Sequence, residues 1–368
     1  MTFRNVHVSQ FRIEAASTRF YANGKQQCHV RVSILKQGMD STTGMLVRIP
    51  LTAQERDSVS TALLSPSLDY NALSMPLQWS VNSRPNGYDL GLINQSSLKS
   101  TTKWSCHPVN QNEEEFKNKS CFPVAEDQEV QAIIADSQVE IDPKQQNDVP
   151  EIINVYVSAA ATGTQTIMAK AMIEVSVGDQ LRTITVTTNM NSGNNTFNSM
   201  INLDAIVPFA IQPAMLSASS QTIQDREENV SKWDIHHQQI TLFRWTLPFN
   251  LRIREYLSGN ENSIFYRQGN THENNRFLTS GRFYGSGRHN VNARDNMQGG
   301  CIWDYPYQVN VGNNEMLVSL LHVRGCSWTS GIRTGTHTVS FIDNFGNTQG
   351  FIFSPEDTGR KISINRYN

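Results

Sequence analysis

The stretch FYANGKQQCHVRVSILK, residues 20 to 36, carries a complete folding instruction. Asn23-Gly24 is a two-residue turn signal, and after it Cys28, Val30, Val32 and Ile34 alternate with His29, Arg31 and Ser33. A period of two puts the apolar set on one face of a strand and the polar set on the other. The preceding run VHVSQFRI, from Val6 to Ile13, has the length and pattern of an antiparallel partner. Together they predict a hairpin laid over a core, and the idiom recurs along the chain.

Working outward, the chain has 368 residues, which is long for one ordinary sandwich; at about 100 to 200 residues per domain three domains are expected. Charged residues are 17% and the net charge is −2, so no global field gathers polyanions, and nucleic acid is excluded as the default partner. Apolar residues are 38%, with Asn, Gln, Ser and Thr abundant, a balance suited to small β-domains with large polar surfaces. Five cysteines (Cys28, Cys106, Cys121, Cys301, Cys326) are too few and odd in number for a disulfide framework. Cys28 reads as a small buried hydrophobe; Cys106 and Cys121 flank a polar loop that an optional bridge could close. The opening MTFRNVHVSQFRIEAA lacks a basic region followed by an apolar one, and no run of about 18 apolar residues occurs. The expectation is synthesis in the cytoplasm without a signal peptide, followed by intracellular assembly or non-classical release.

The expected organisation is all-β. An N-terminal β-sandwich spans 1–125, where short apolar runs (Met45 to Leu51, Leu77 to Val81, Tyr88 to Ile93) are separated by turn clusters such as Asn82 to Gly87. Residues 126–150, acidic and Gln-rich with Asp142-Pro143 and Val149-Pro150 as breakers, form a linker. A second sandwich spans 151–216, a second linker 217–237, and a C-terminal β-rich domain 238–368. Laying Gly163-Thr164-Gln165 over Gly24-Lys25-Gln26 aligns Ile167 with Cys28 and Ile173 with Ile34, as a duplicated sandwich would. Two unrelated alternating strands would also match this way.

The phrase YANGKQQCHVRVSI resembles the early hairpin of bacterial immunoglobulin-like domains of the invasin and intimin kind, and DNFGN, from Asp343 to Asn347, resembles the turns of such modules. The resemblance covers about thirty residues. It implies immunoglobulin-like sandwiches and a binding or structural role, and it carries over no functional residue. Those adhesins have an export signal and long regular arrays, neither of which is expected of this chain.

Two stretches carry functional readings. From Thr183 to Val207, Ile184 and Val186 line one face before the tip Asn191-Ser192-Gly193-Asn194, and Phe197, Ile201 and Leu203 line one face after it. Each arm approaches the 9 to 11 residues, roughly, of a spanning strand, so a membrane-inserting hairpin of a pore-forming toxin is one reading; a hairpin with one face on a core is the other. In the C-terminal domain arginine interleaves with aromatics, and Trp303, Asp304, Tyr305, Arg282 and Tyr284 are the predicted recognition residues. Trp303 and Tyr305, two apart, share one face of an extended segment next to Gly299-Gly300 and Pro306. Tyr, Trp and Arg suit protein partners and glycans; stacking on single-stranded nucleic acid is disfavoured by Glu255, Glu261, Glu273 and Asp295. Core packing is the ordinary alternative for such rings.

Catalytic chemistry has no signature. Cys301, His322, Cys326 and His337, with Asp304 or Asp343, lack the spacing of a Cys–His nucleophile or a zinc site, and there is no phosphate loop, nucleophile elbow or HExxH. His236 and His237 are adjacent and make a poor metal pair. The expectation is therefore a non-enzymatic binding or structural protein, self-assembling or adhesive, without cofactor or metal. Its expected partners are further copies, other protein subunits or glycans, with a β-hairpin toxin and a lectin-like protein as alternatives and a membrane partner only for the toxin.

Overall fold

The computed structural model describes residues 3–63, 74–92, 103–107, 120–124, 149–178, 180–192, 195–229, 235–259, 264–269, 277–293, 302–325, 335–356 and 360–367. The chain is all-β and divides into two compact units, Met1–Val207 and Pro208–Asn368. This boundary corrects the three-domain expectation. Of the expected linker 126–150, residues 126–148 lie outside the described residues.

Unit 1 opens with β1 (Phe3–Ala15), β2 (Arg19–Tyr21), β3 (Cys28–Asp40) and β4 (Leu46–Arg48), then helix α1 (Ala53–Ser58), β5 (Ser60–Leu63) and β6 (Trp79–Asn82). A separate ladder follows from β7 (Lys103–His107) and β8 (Ser120–Val124), whose register sets the backbone of Cys106 opposite Cys121. Next come β9 (Glu151–Ala159), β10 (Gly163–Val177), β11 (Gln180–Thr187), the short pair β12 (Asn191–Ser192) and β13 (Asn195–Thr196), and β14 (Ile201–Ile206).

One sheet has the order β1-β3-β9-β6, with β4 beside β3; the other is built on β10, which pairs with β11, β14 and β5, while β2 joins β14 in parallel. The predicted pairing of the 6–13 run with the 28–34 run is found, with Phe11 opposite Ile34 and Ile13 opposite Val32. The inward set is also as read: Cys28, Val30 and Val32 have no exposed surface. The tight hairpin is not. Asn23 Oδ1 accepts from the amides of Lys25 and Gln26, and Gly24 takes φ +72°, but the chain between β1 and β3 leaves the sheet as β2 to pair with β14.

Residues 151–159 do not start a domain. Strand β9 lies between β3 and β6, with Val155 opposite Val30. Ile167, Ala169, Ala171 and Ile173 of β10 then meet Val30, Val32, Val155 and Val157 in one continuous core. The two matched segments are thus inward-facing strands in the two sheets of a single sandwich, where alternation serves the same burial on both sides.

Unit 2 contains β15 (Ser217–Asn229), β16 (Ile235–Thr246), β17 (Ile253–Ser258), β18 (Ile264–Gly269), β19 (Phe277–Tyr284), β20 (Gly287–Val291), β21 (Tyr307–Val311), β22 (Glu315–Arg324), β23 (His337–Asp343), β24 (Thr348–Glu356) and β25 (Lys361–Arg366). In a five-stranded sheet, β15-β16-β22-β19-β18, the strands β16, β22 and β19 bury both faces. On one, Trp245, Phe283 and Val318 pack with Val339, Phe341, Phe351 and Phe353 of the sheet β17-β23-β24-β25. On the other, Ile240, Leu242, Leu278, Leu317 and Leu321 pack with Val291, Val309 and Val311 of the hairpin β20-β21. Residues 217–237 are not a linker. Residues 217–229 form β15 and 235–237 start β16, paired from Ser217–Thr246 to Asn229–Ile235 with one register shift at Ile223, and 230–234 lie outside the described residues. The stretch DNFGN does form a turn: the buried Asp343 carboxylate accepts from the amides of Phe345 and Asn347 and from the side chains of Asn347 and Gln349.

Candidate recognition site

The predicted residues in unit 2 separate into two groups. Tyr284 is 1% exposed and belongs to the core, so it corrects the expectation of a surface ring. Arg282, half-buried, lies over it with its guanidinium 5.7 Å from the ring centre. Strand register keeps both away from Trp303. The residue that holds Trp303, Gln238, is level with Val323 and Leu278, whereas Tyr284 is level with Leu317, six residues along the strand or roughly 20 Å.

Trp303 sits in an extended loop running into β21. Its backbone is gripped by Gln238, whose side chain is fully buried: the Trp303 amide donates to Gln238 Oε1 at 2.8 Å, and Gln238 Nε2 donates to the Trp303 carbonyl at 2.9 Å. Gln238 also donates to Gln224 Oε1 in β15. This clamp matters because a buried amide cannot leave its partners without cost, so the loop is held in place while Trp303 stays only half-buried. The indole is half-buried, and the Arg226 guanidinium from β15 stacks 4.4 Å from its ring centre. Arg226 also pairs with Glu228 at 3.7 Å. Next along the chain Asp304 is exposed and accepts from Asn292 Nδ2, while half-buried Tyr305 packs on the core and its amide donates to Asn292 Oδ1. Arg226 and Gln238 were missed by sequence reading. Arg226 lay in what read as a linker, and nothing about a lone Gln signals a clamp.

Of the proposed hairpin of unit 1 only the part next to its tip pairs with itself, Asn191 with Thr196 and Ser192 with Asn195. Strands β11 and β14 pair with β10, not with each other. Lys170 of β10 pairs with both Thr187 and Ser60, and Ile167 with both Ile201 and Leu63, so β11 and β14 lie end to end on one edge of β10 and β5 lies on the other. Val186 and Leu203 are fully buried, Phe197 is 8% exposed, and Ile184 and Ile201 pack on the same core. The stretch supplies two of the five strands of a sandwich sheet. Of its tip, Gly193 and Asn194 lie outside the described residues, as do Cys301 and Cys326 of the Cys–His candidates.

The histidines are buried separately. His322 shares a hydrogen bond of 3.1 Å with Thr279 Oγ1 and stacks near Phe277; His337 Nε2 lies 3.1 Å from the Gly259 carbonyl and its ring packs on Phe283. Burial first, then the positive charges of Arg360, His237 and Arg324, pushes the His322 pKa down to about 4. Burial also lowers that of His337. Among the described residues no group of three or more His, Cys, Asp or Glu could hold a metal ion, and no helix is long and apolar enough to cross a membrane. No protein-family model and no curated protein matches the chain.

Proposed function

We propose that the chain is a non-enzymatic binding and assembly protein whose recognition surface is the face of unit 2 around Trp303. The observation that carries this is the clamp: a fully buried Gln238 fixes both backbone polar groups of Trp303 while its indole stays partly open beside Arg226, Asp304 and Tyr305. An aromatic ring on a pre-set backbone loses little entropy on binding and removes much apolar area from water. Trp, Tyr and Arg are the side chains that dominate interface energetics.

The test is Trp303→Ala in the full chain. Truncating such an anchor weakens association by roughly 30-fold, equivalent to about 2 kcal/mol, with the thermal transition nearly unchanged. Self-association is read by sedimentation, and glycan binding on an array. Gln238→Leu, which keeps the volume and removes the clamp, should weaken the same interaction. A fall in the melting temperature of several degrees for Trp303→Ala, with binding tracking only the unfolded fraction, would make Trp303 a packing residue.

A further inference from the structure

The outer edge of β15 is the second feature that sets unit 2 apart. It is 13 residues long and has one strand neighbour, β16. Every residue from Ser217 to Thr222 is exposed, and the run SASSQT has no charge. Among the described residues no hydrogen bond reaches its outer edge. A long uncharged edge with open amides and carbonyls is a template for another strand, which folded proteins ordinarily blunt.

Unit 1 blunts the edges of two of its longest strands, β1 and β10. On β1 the outward amides of Val6 and Ile13 donate to Ser176 Oγ and Ser199 Oγ, and two register shifts bend the strand. On β10 the edge beyond β5 is closed by α1: Ser58 Oγ binds both the amide and the carbonyl of Met172, and Glu55 accepts from the Glu174 amide. Strand β15 has neither device along Ser217–Thr222.

We infer that Ser217–Thr222 pairs antiparallel with the same segment of a second copy of this chain, joining two five-stranded sheets across a two-fold axis. The charge pattern selects this occupant and this segment. Pairing centred within 217–222 sets uncharged residues against uncharged residues and carries Asp225, Arg226, Glu227 and Glu228 past opposite ends of the partner segment. Centring on 225–228 would instead gather Asp225, Glu227 and Glu228 of both copies, six carboxylates against two Arg226 guanidinium groups, which is repulsive on balance. The register shift at Ile223 ends the regular edge at the boundary between the two halves. The inference rests on the binding and assembly reading, since Arg226, which stacks on Trp303, is on the same strand.

The experiment compares the full-length protein with Ser219→Lys/Gln221→Lys by sedimentation and by backbone hydrogen exchange, from about 1 to about 100 µM. Both side chains are exposed, so the variant should fold. Expected are a dimer of the parent protein, concentration-dependent protection of the 217–222 amides, and dissociation of the variant at least about tenfold stronger, because the two-fold places four lysines together. A parent protein that is monomeric throughout, or a dimer indifferent to both lysines with 217–222 exchanging freely, overturns the inference. If the lysines dissociate the dimer while Trp303→Ala changes nothing, the edge pairing stands and the Trp303 reading fails; the converse result separates them the other way.

Discussion

Lys36 and Glu55 show how one buried pair ties separate elements together. Their side chains are 4% and 6% exposed and 2.7 Å apart, Lys36 on β3 and Glu55 on α1. Glu55 also accepts from the amides of Thr52, in a capping box, and Glu174. Desolvation raises the Glu55 pKa, but the bonds from Lys36, Thr52 and Glu174 together outweigh it, and the group sits below the usual carboxylate range. Its stabilisation is therefore present at neutral pH and is lost as pH falls through that lowered value. Replacing one partner strands the other charge: Lys36→Met should destabilise unit 1 by about 3–5 kcal/mol in urea unfolding at pH 7. The double variant Lys36→Met/Glu55→Leu should recover part of that loss. His322 gives unit 2 a pH dependence in the same direction by a different route. Because its folded pKa is about 4 against an ordinary 6.5, the unfolded chain takes the proton first, and stability drains as pH falls from 6.5 toward 4. His322→Gln, which retains an acceptor for Thr279, should flatten the urea midpoint against pH in that window. Asp343, raised by burial, titrates with the opposite sign in both proteins and cancels in the comparison.

At the scale of elements, β10 is the strand most dependent on others. Its two edges are served by β11, β14, β5 and α1, four pieces from three separate stretches of the chain. The arms that looked like a membrane hairpin are two of those pieces, and their apolar faces are already spent on the core. Leu203→Ala should thus cost unit 1 about 2–5 kcal/mol, read from its chemical denaturation midpoint. Phe197→Ala should have a comparable effect, since its ring packs edge-on against Phe11 at 6.2 Å. A midpoint unchanged by both substitutions would mean these residues do not serve the core.

For the whole molecule, the unit boundary at Val207–Pro208 makes a prediction about fragments. A fragment of residues 1–207 should unfold cooperatively, and so should 208–368. A fragment ending near residue 150 should not fold: it lacks β9, β10, β11 and β14, and so leaves β3 without one neighbour and its core face without the opposing sheet. Far-ultraviolet circular dichroism through a urea titration distinguishes the outcomes. A cooperative transition in the 1–150 fragment would restore the three-domain organisation.

Alternation alone determined that the chain is all-β, which residues of β3 and β10 point inward, and that β1 and β3 pair, because burial on one face of a strand imposes a period of two wherever the strand lies. That same rule is blind to partners. It could not separate two sandwiches from two sheets of one, since facing sheets carry identical patterns. Nor could it see β15, whose mostly exposed side chains have no periodicity and whose pairing with β16 rests on the backbone ladder and on polar side-chain bonds such as that of Gln238 to Gln224. Trp303 was legible as a candidate because an aromatic pair beside glycines and proline is visible locally. Its clamp by Gln238 and its stacking with Arg226 exist only because sheet pairing brings Gln224, Arg226 and Gln238 alongside one another, and long-range register is decided by the mutual fit of all strands in a core rather than by any one stretch.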